Sequence, residues 1–191
     1  MKEQNERFLK YFLLFYMFFS VMIFWANRNY EFLYYTLILS IIMYFAIIHR
    51  KKFMLSNYLV GGFILYLILH TLGADTYIFG ITVFDIWLIP KVIRYDQLVH
   101  MYGGFLIAIL TSTVLSQFII DKFKNTKIFY ITIVLISMGI AALWEITELG
   151  AVLFLSLTGV GDYLNNSFDL LFNMIGSSIG ALLIYNINKR R

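Results

Sequence analysis

Three pairs of polar residues stand out in an apolar chain. Asp96 and His100 are four residues apart, Glu145 and Glu148 three apart, Asp169 and Asn173 four apart. On a helix, residues three or four apart lie on one face, so each pair makes a short polar stripe. Carboxylates with a histidine at such spacing can bind a divalent metal, and helical bundles build metal sites from inward Glu and His. With His70 included, an oxygen-rich set with two imidazoles suits Zn, Mn or Fe better than a soft metal. His100, Glu145, Glu148 and Asp169 are the expected ligands, and the metal can activate water or polarise a phosphoryl or carbonyl oxygen. Without a metal, closely spaced carboxylates can share a proton and serve acid–base work or a relay. The chain shows no nucleophile motif, phosphate-binding loop or dinucleotide fingerprint. It has no cysteine, which excludes disulfide and thiolate chemistry.

The elements that must carry these stripes are membrane helices. Of 191 residues, 61% are hydrophobic and 14% charged, and the mean hydropathy is +0.79. A soluble domain has about a quarter of its residues charged. Spanning the hydrocarbon takes about 20 mostly apolar residues. Six runs qualify: 8–26, 32–48, 53–72, 98–120, 128–149 and 168–187. The expectation is a single all-α domain over 1–191, a polytopic membrane helix bundle. The first run reads as a retained helix, because aromatic bulk fills the end where a signal-peptide cleavage site would lie. Residues 73–97 are apolar but broken by Gly80, Asp85 and Pro90. They read as an interfacial or re-entrant segment that lids the polar layer. Residues 151–161 read as a second, smaller cover.

Charge sets the expected orientation. Lys2, Arg7, Lys10, Arg50, Lys51, Lys52, Lys122, Lys124, Lys127, Lys189, Arg190 and Arg191 fall on one side of six alternating spans; only Arg28, Lys91 and Arg94 fall on the other. Basic residues collect on the cytoplasmic side, so both termini are expected in the cytoplasm. The positive flanks are short and scattered, which argues against nucleic acid as a partner; the expected partner is the lipid bilayer. Counting along the helices brings Asp96, His100, Glu145, Glu148 and Asp169 to one depth near the outer face, with His70, Asp162 and Asn173 nearby. Each alone has a plainer reading. Asp96 and Asp169 suit a helix N-terminus, with Asn165, Asn166 or Ser167 as caps. His70 alone suits a satisfied histidine, and the glutamates alone suit a helix end surfacing into headgroups. Coincidence of depth on four helices favours a site. Gly103–Gly104 and Gly176/Gly180 are expected to allow close helix packing.

The order LHTLGADTY, RYDQLVHMYGGF, ALWEITE and GDYLNNSFDLLFNMIGSSIGA, from Leu69 to the last helix, resembles bacterial inner-membrane proteins of the YjdF type. More distantly it is similar to VanZ-like membrane proteins. The matching positions are His70, Tyr77, Tyr95, Asp96, His100, Glu145, Glu148, Asp162 and Asp169. Many such proteins read Asp-Thr-Gln where this chain has Asn165-Asn166-Ser167. The resemblance implies a multi-pass protein of the bacterial inner membrane with a common polar site and supplies no reaction. Three functions stay open: a metal-dependent enzyme on a lipid or envelope substrate, an ion- or solute-binding transporter, or an assembly protein whose cluster only locks helices together.

Overall fold

The structure, a computed structural model, describes residues 2–124, 126–155 and 161–189. The chain forms two compact units, Met1–Ile86 and Trp87–Arg191. Helices carry most of both, and among the described residues six of them are long and apolar enough to cross a membrane.

The first unit holds α1 (Lys2–Ala26), α2 (Tyr30–Ile48) and α3 (Asn57–Asp75). The Asn29 side chain caps α2 by accepting from the Phe32 N–H, and Ser56 caps α3 by accepting from Leu59. Such caps satisfy donors that the first turn leaves open, each worth about 1 kcal/mol. The Tyr16 hydroxyl bonds the Leu67 carbonyl at 2.7 Å and also meets Thr71 Oγ1, tying α1 to α3. Beyond α3, β1 (Tyr77–Ile78) and β2 (Ile81–Thr82) form a tight hairpin. Its two turn residues, Phe79 and Gly80, both have positive φ, as a two-residue turn matched to strand twist requires. A single 3-10 turn, Val83–Asp85, follows.

The second unit opens with β3 (Trp87–Ile89) and β4 (Ile93–Arg94), an antiparallel pair turning through Pro90 and Lys91. Then come α4 (Tyr95–Leu115), the one-turn α5 (Asp121–Lys124), α6 (Lys127–Leu155) and α7 (Tyr163–Lys189). Contacts between α4 and α7 rise together along both: His100 meets Asn173, Gly104 meets Ser177, and Ala108 faces Gly180. The two helices are therefore parallel. Contacts with α6 run the other way: Ser137 reaches Thr111, Glu145 reaches His100, and Asn188 donates to the Tyr130 hydroxyl. A Cβ built on Gly176 would collide with the Met101 carbonyl, and one on Gly104 with that of Asn173. Backbone-to-backbone contact of this kind is what small residues permit between membrane helices.

Polar residues share the interior with apolar ones, and large apolar side chains cover much of the outside. Ser137, Ser177, Thr111, Ser112, Gln97 and Asp169 are buried. Ile131, Leu135, Leu143, Ile146 and Leu153 of α6 are exposed, as suits a surface in contact with lipid.

Several expected boundaries need correction. The fifth span runs to Leu155, not 149, because Ala151–Phe154 continues the apolar helical pattern. The sixth starts at Tyr163, not 168, because Asp162 caps it: its carboxylate accepts from the Asn165 N–H at 2.9 Å. The fourth runs from Tyr95 to Leu115, not 98–120, and the third from Asn57, not 53. Residues 73–97 contain the end of α3, two hairpins that belong to different units, and the start of α4; they make no span of their own. Of the expected second cover, 151–155 is helix and 156–160 lies outside the described residues.

Candidate functional site

The local sequence explains how α4 delivers Asp96 and His100. The chain turns at Pro90 and Lys91 and is extended at Ile93–Arg94, where it pairs with β3. Gln97 then reaches back so that its side chain accepts from the Arg94 N–H, half of a capping box. Asp96 falls in the first turn, where the helix dipole favours an acid. His100 follows one turn deeper on the same face.

His100 is the centre of the arrangement. Its Nε2 lies 3.6 Å from Asp96 Oδ1 and 3.9 Å from Asp169 Oδ1. Its Nδ1 lies 4.0 Å from Glu145 Oε1 and 3.0 Å from the side-chain amide of Asn173. One ligand atom each from Asp96, His100 and Asp169 lie within 4.8 Å of one another, a group that could hold a metal ion. Glu148 sits in the electrostatic field of Glu145, Asp96 and Asp169, and Trp144 is its hydrogen-bond partner.

Satisfaction of these groups is uneven. Asp169 receives a 2.8 Å hydrogen bond from Asn165 on Oδ2, and Gln97 is a further partner. Its Oδ1, and both carboxyl oxygens of Glu145, are buried without a hydrogen-bond partner. The Asp169 side chain is 3% exposed and that of Glu145 11%. Buried polar oxygens are nearly always paired, so such orphans call for an explanation, an ion among them. Asn165 also accepts from Arg94 Nη1 at 3.4 Å, and the Arg94 guanidinium lies 4.6 Å over the Trp87 ring.

Asp96, His100, Glu145, Glu148, Asp169 and Asn173 thus come together within the second unit. Asp162 does not join them, since its carboxylate caps α7. His70 belongs to the first unit, where its ring packs against Phe32, Tyr66 and Phe84. Tyr77 lies in β1 of that unit, and Tyr95 opens α4. The expected caps Asn165, Asn166 and Ser167 lie inside α7. Sequence reasoning passed over Gln97 as a member of the site. A glutamine three residues after a helix-start position is a capping signal, and here it marks a side chain shared between the cap and Asp169. Arg94 counted only as a flanking charge, because its link through Asn165 depends on how α4 and α7 pack.

The class that this fold and site define is a multi-pass membrane protein with a buried acidic and histidine cluster. Residues 8–190 match the family described as "Predicted membrane protein (DUF2238)", and the chain belongs to that family. This agrees with the YjdF-type resemblance. Comparison with curated proteins and with solved structures found no match.

Proposed function

We propose that this chain is a metal-dependent enzyme of the bacterial inner membrane, acting on a lipid or envelope substrate at the outer leaflet. The observation that carries the reading is the convergence of donors from Asp96, His100 and Asp169 within 4.8 Å beside buried, unpartnered oxygens of Asp169 and Glu145. A buried carboxylate oxygen without a hydrogen bond is costly unless a cation or a proton neutralises the group. Asp96, His100 and Asp169 would hold the metal, with Glu145 Oε1 4.0 Å from the other ring nitrogen of His100. A bound divalent ion supplies Lewis acidity and an activated water. Glu148, hydrogen-bonded by Trp144, is placed to take up or return a proton. Asn173 fixes the plane of the His100 ring.

The charge bias of the sequence supports cytoplasmic termini, which turns the cluster toward the outer face. The exposed apolar β3–β4 hairpin, with Trp87, Leu88, Ile89 and Val92, runs directly into the helix that bears Asp96. That continuity favours a substrate that arrives from the lipid.

The test is lipid and envelope profiling of a host strain lacking the gene. Wild type should restore the profile, and Asp169→Asn at equal membrane abundance should not. An unchanged profile on deletion, or full restoration by Asp169→Asn, contradicts the enzyme reading.

A further inference from the structure

We infer that Arg94 binds the phosphate group of a membrane lipid at the mouth of the cluster, which makes the substrate class a phosphate-bearing lipid. This rests on the proposed function above and deepens it.

Exposure across the cluster is graded. The side chain of Asp169 is 3% exposed, that of His100 12% and that of Asp96 23%. The cluster is therefore closed at Asp169 and opens at the first turn of α4. Arg94, two residues before Asp96, is half-buried at that opening. Its Nη1 donates to Asn165 Oδ1 at 3.4 Å, and Asn165 donates in turn to Asp169 Oδ2 at 2.8 Å. One amide thus separates the guanidinium from the carboxylate whose other oxygen is buried without a hydrogen-bond partner.

Arg94 is the only arginine between Arg50 and Arg190, and residues 128–188 contain no lysine. The plain reading of such a residue is that it offsets nearby acids and ties α4 to α7. The way it is held argues for more. Trp87, its register partner across the β3–β4 pair, carries the guanidinium 4.6 Å from the ring centroid. A cation–π contact attracts the charge without neutralising it. The bond to Asn165 is long and ends on a neutral amide oxygen, so both of these contacts position the cation and supply no countercharge. A guanidinium fork matches the paired oxygens of a phosphate.

The same hairpin supplies an apolar half to the site. Leu88, Ile89 and Val92 are each about half exposed beside Trp87. Acyl chains against these residues put a headgroup at the base of the hairpin, where Arg94 stands. A phosphate has oxygens enough to meet Arg94 on one side and the Asp96–His100–Asp169 centre on the other. Cationic clamps of this kind are how proteins hold phosphoryl groups.

The test uses the full chain, purified in neutral detergent without metal and titrated by calorimetry with three probes. Dioctanoyl phosphatidic acid has chains and phosphate, dioctanoylglycerol has the chains alone, and glycerol phosphate the phosphate alone. The wild type should bind phosphatidic acid saturably and the other two at least about tenfold more weakly. Arg94→Gln should weaken phosphatidic acid by about 10–100-fold, the loss expected for hydrogen bonds to a charged group, and leave dioctanoylglycerol unchanged. Arg94→Lys, which keeps the charge and loses the fork, should fall between. Equal binding of phosphatidic acid and dioctanoylglycerol overturns the inference. Glycerol phosphate binding as tightly as phosphatidic acid overturns the lipid as its source. An Arg94→Gln chain that is less stable yet keeps wild-type selectivity shows that Arg94 only ties the helices together. If Arg94→Gln does not fold, the wild-type ranking decides the substrate class and Arg94→Lys decides the residue. Mn(II) binding, measured on the same samples, separates the two readings. Mn(II) bound without phosphate selectivity overturns this inference alone, and selectivity without Mn(II) overturns the metal-dependent enzyme alone.

Discussion

The side-chain amide of Asn173 lies 3.0 Å from Nδ1 of His100, across two parallel helices. The amide nitrogen, Nδ2, is the end that faces the ring. A metal on Nε2 calls for the amide to turn so that its oxygen does. The ring must then carry its proton on Nδ1 and donate it to the amide oxygen, as metal-bound histidines do with their second nitrogen.

Asn173→Leu should therefore weaken metal binding by about 10–100-fold, the usual cost of losing such a partner. Asn173→Asp, which keeps an acceptor, should stay closer to wild type. Calorimetric titration with Mn(II) or Zn(II) measures both.

Asn165 donates to Asp169 at 2.8 Å, which a carboxylate could not do. Asn165→Asp replaces that bond with repulsion between like charges. The metal-free variant should melt at a lower temperature than wild type, and added divalent ion should narrow the difference. Thermal unfolding in detergent, with and without Mn(II), reads this directly. A metal-free melting temperature equal to wild type would contradict it.

Gly176 lets the Met101 carbonyl approach α7 where no Cβ would fit. Gly176→Leu should force α4 and α7 apart, at a cost of about 1–3 kcal/mol or more from overpacking. Because His100 and Asn173 are held by that contact, metal affinity should fall with stability. Gly139, whose Cβ would meet nothing within 4 Å, provides the control: Gly139→Ala should be neutral or mildly stabilising.

The chain has no cysteine, so single replacements report sidedness cleanly. Lys91→Cys should react with a membrane-impermeant maleimide in intact cells. Lys124→Cys should react only after the membrane is opened. The reverse pattern would move the cluster to the cytoplasmic face.

The six spans were legible because runs of about 20 apolar residues have few other uses. Their ends were not. Glu145 and Glu148 suggest a helix nearing its end, yet α6 continues to Leu155. Carboxylates turned toward other helices do not interrupt the backbone. Asn165, Asn166 and Ser167 suggest caps, yet Asp162 takes that role and α7 starts earlier. Helical spacing made the three polar stripes legible as stripes. It carried no information on the link from Arg94 through Asn165 to Asp169. That link arises from the contact of α4 with α7, which a linear reading does not contain. Small residues gave the nearest hint of it, since Gly104, Gly176 and Gly180 lie along that contact.

The most direct measurement of the central claim is equilibrium binding of a divalent metal to the purified chain, wild type against Asp169→Asn. The account predicts tight binding by the wild type and its loss in a variant that remains folded and monodisperse. A wild-type chain that binds no divalent metal, or an Asp169→Asn chain that binds it equally well, would contradict the account.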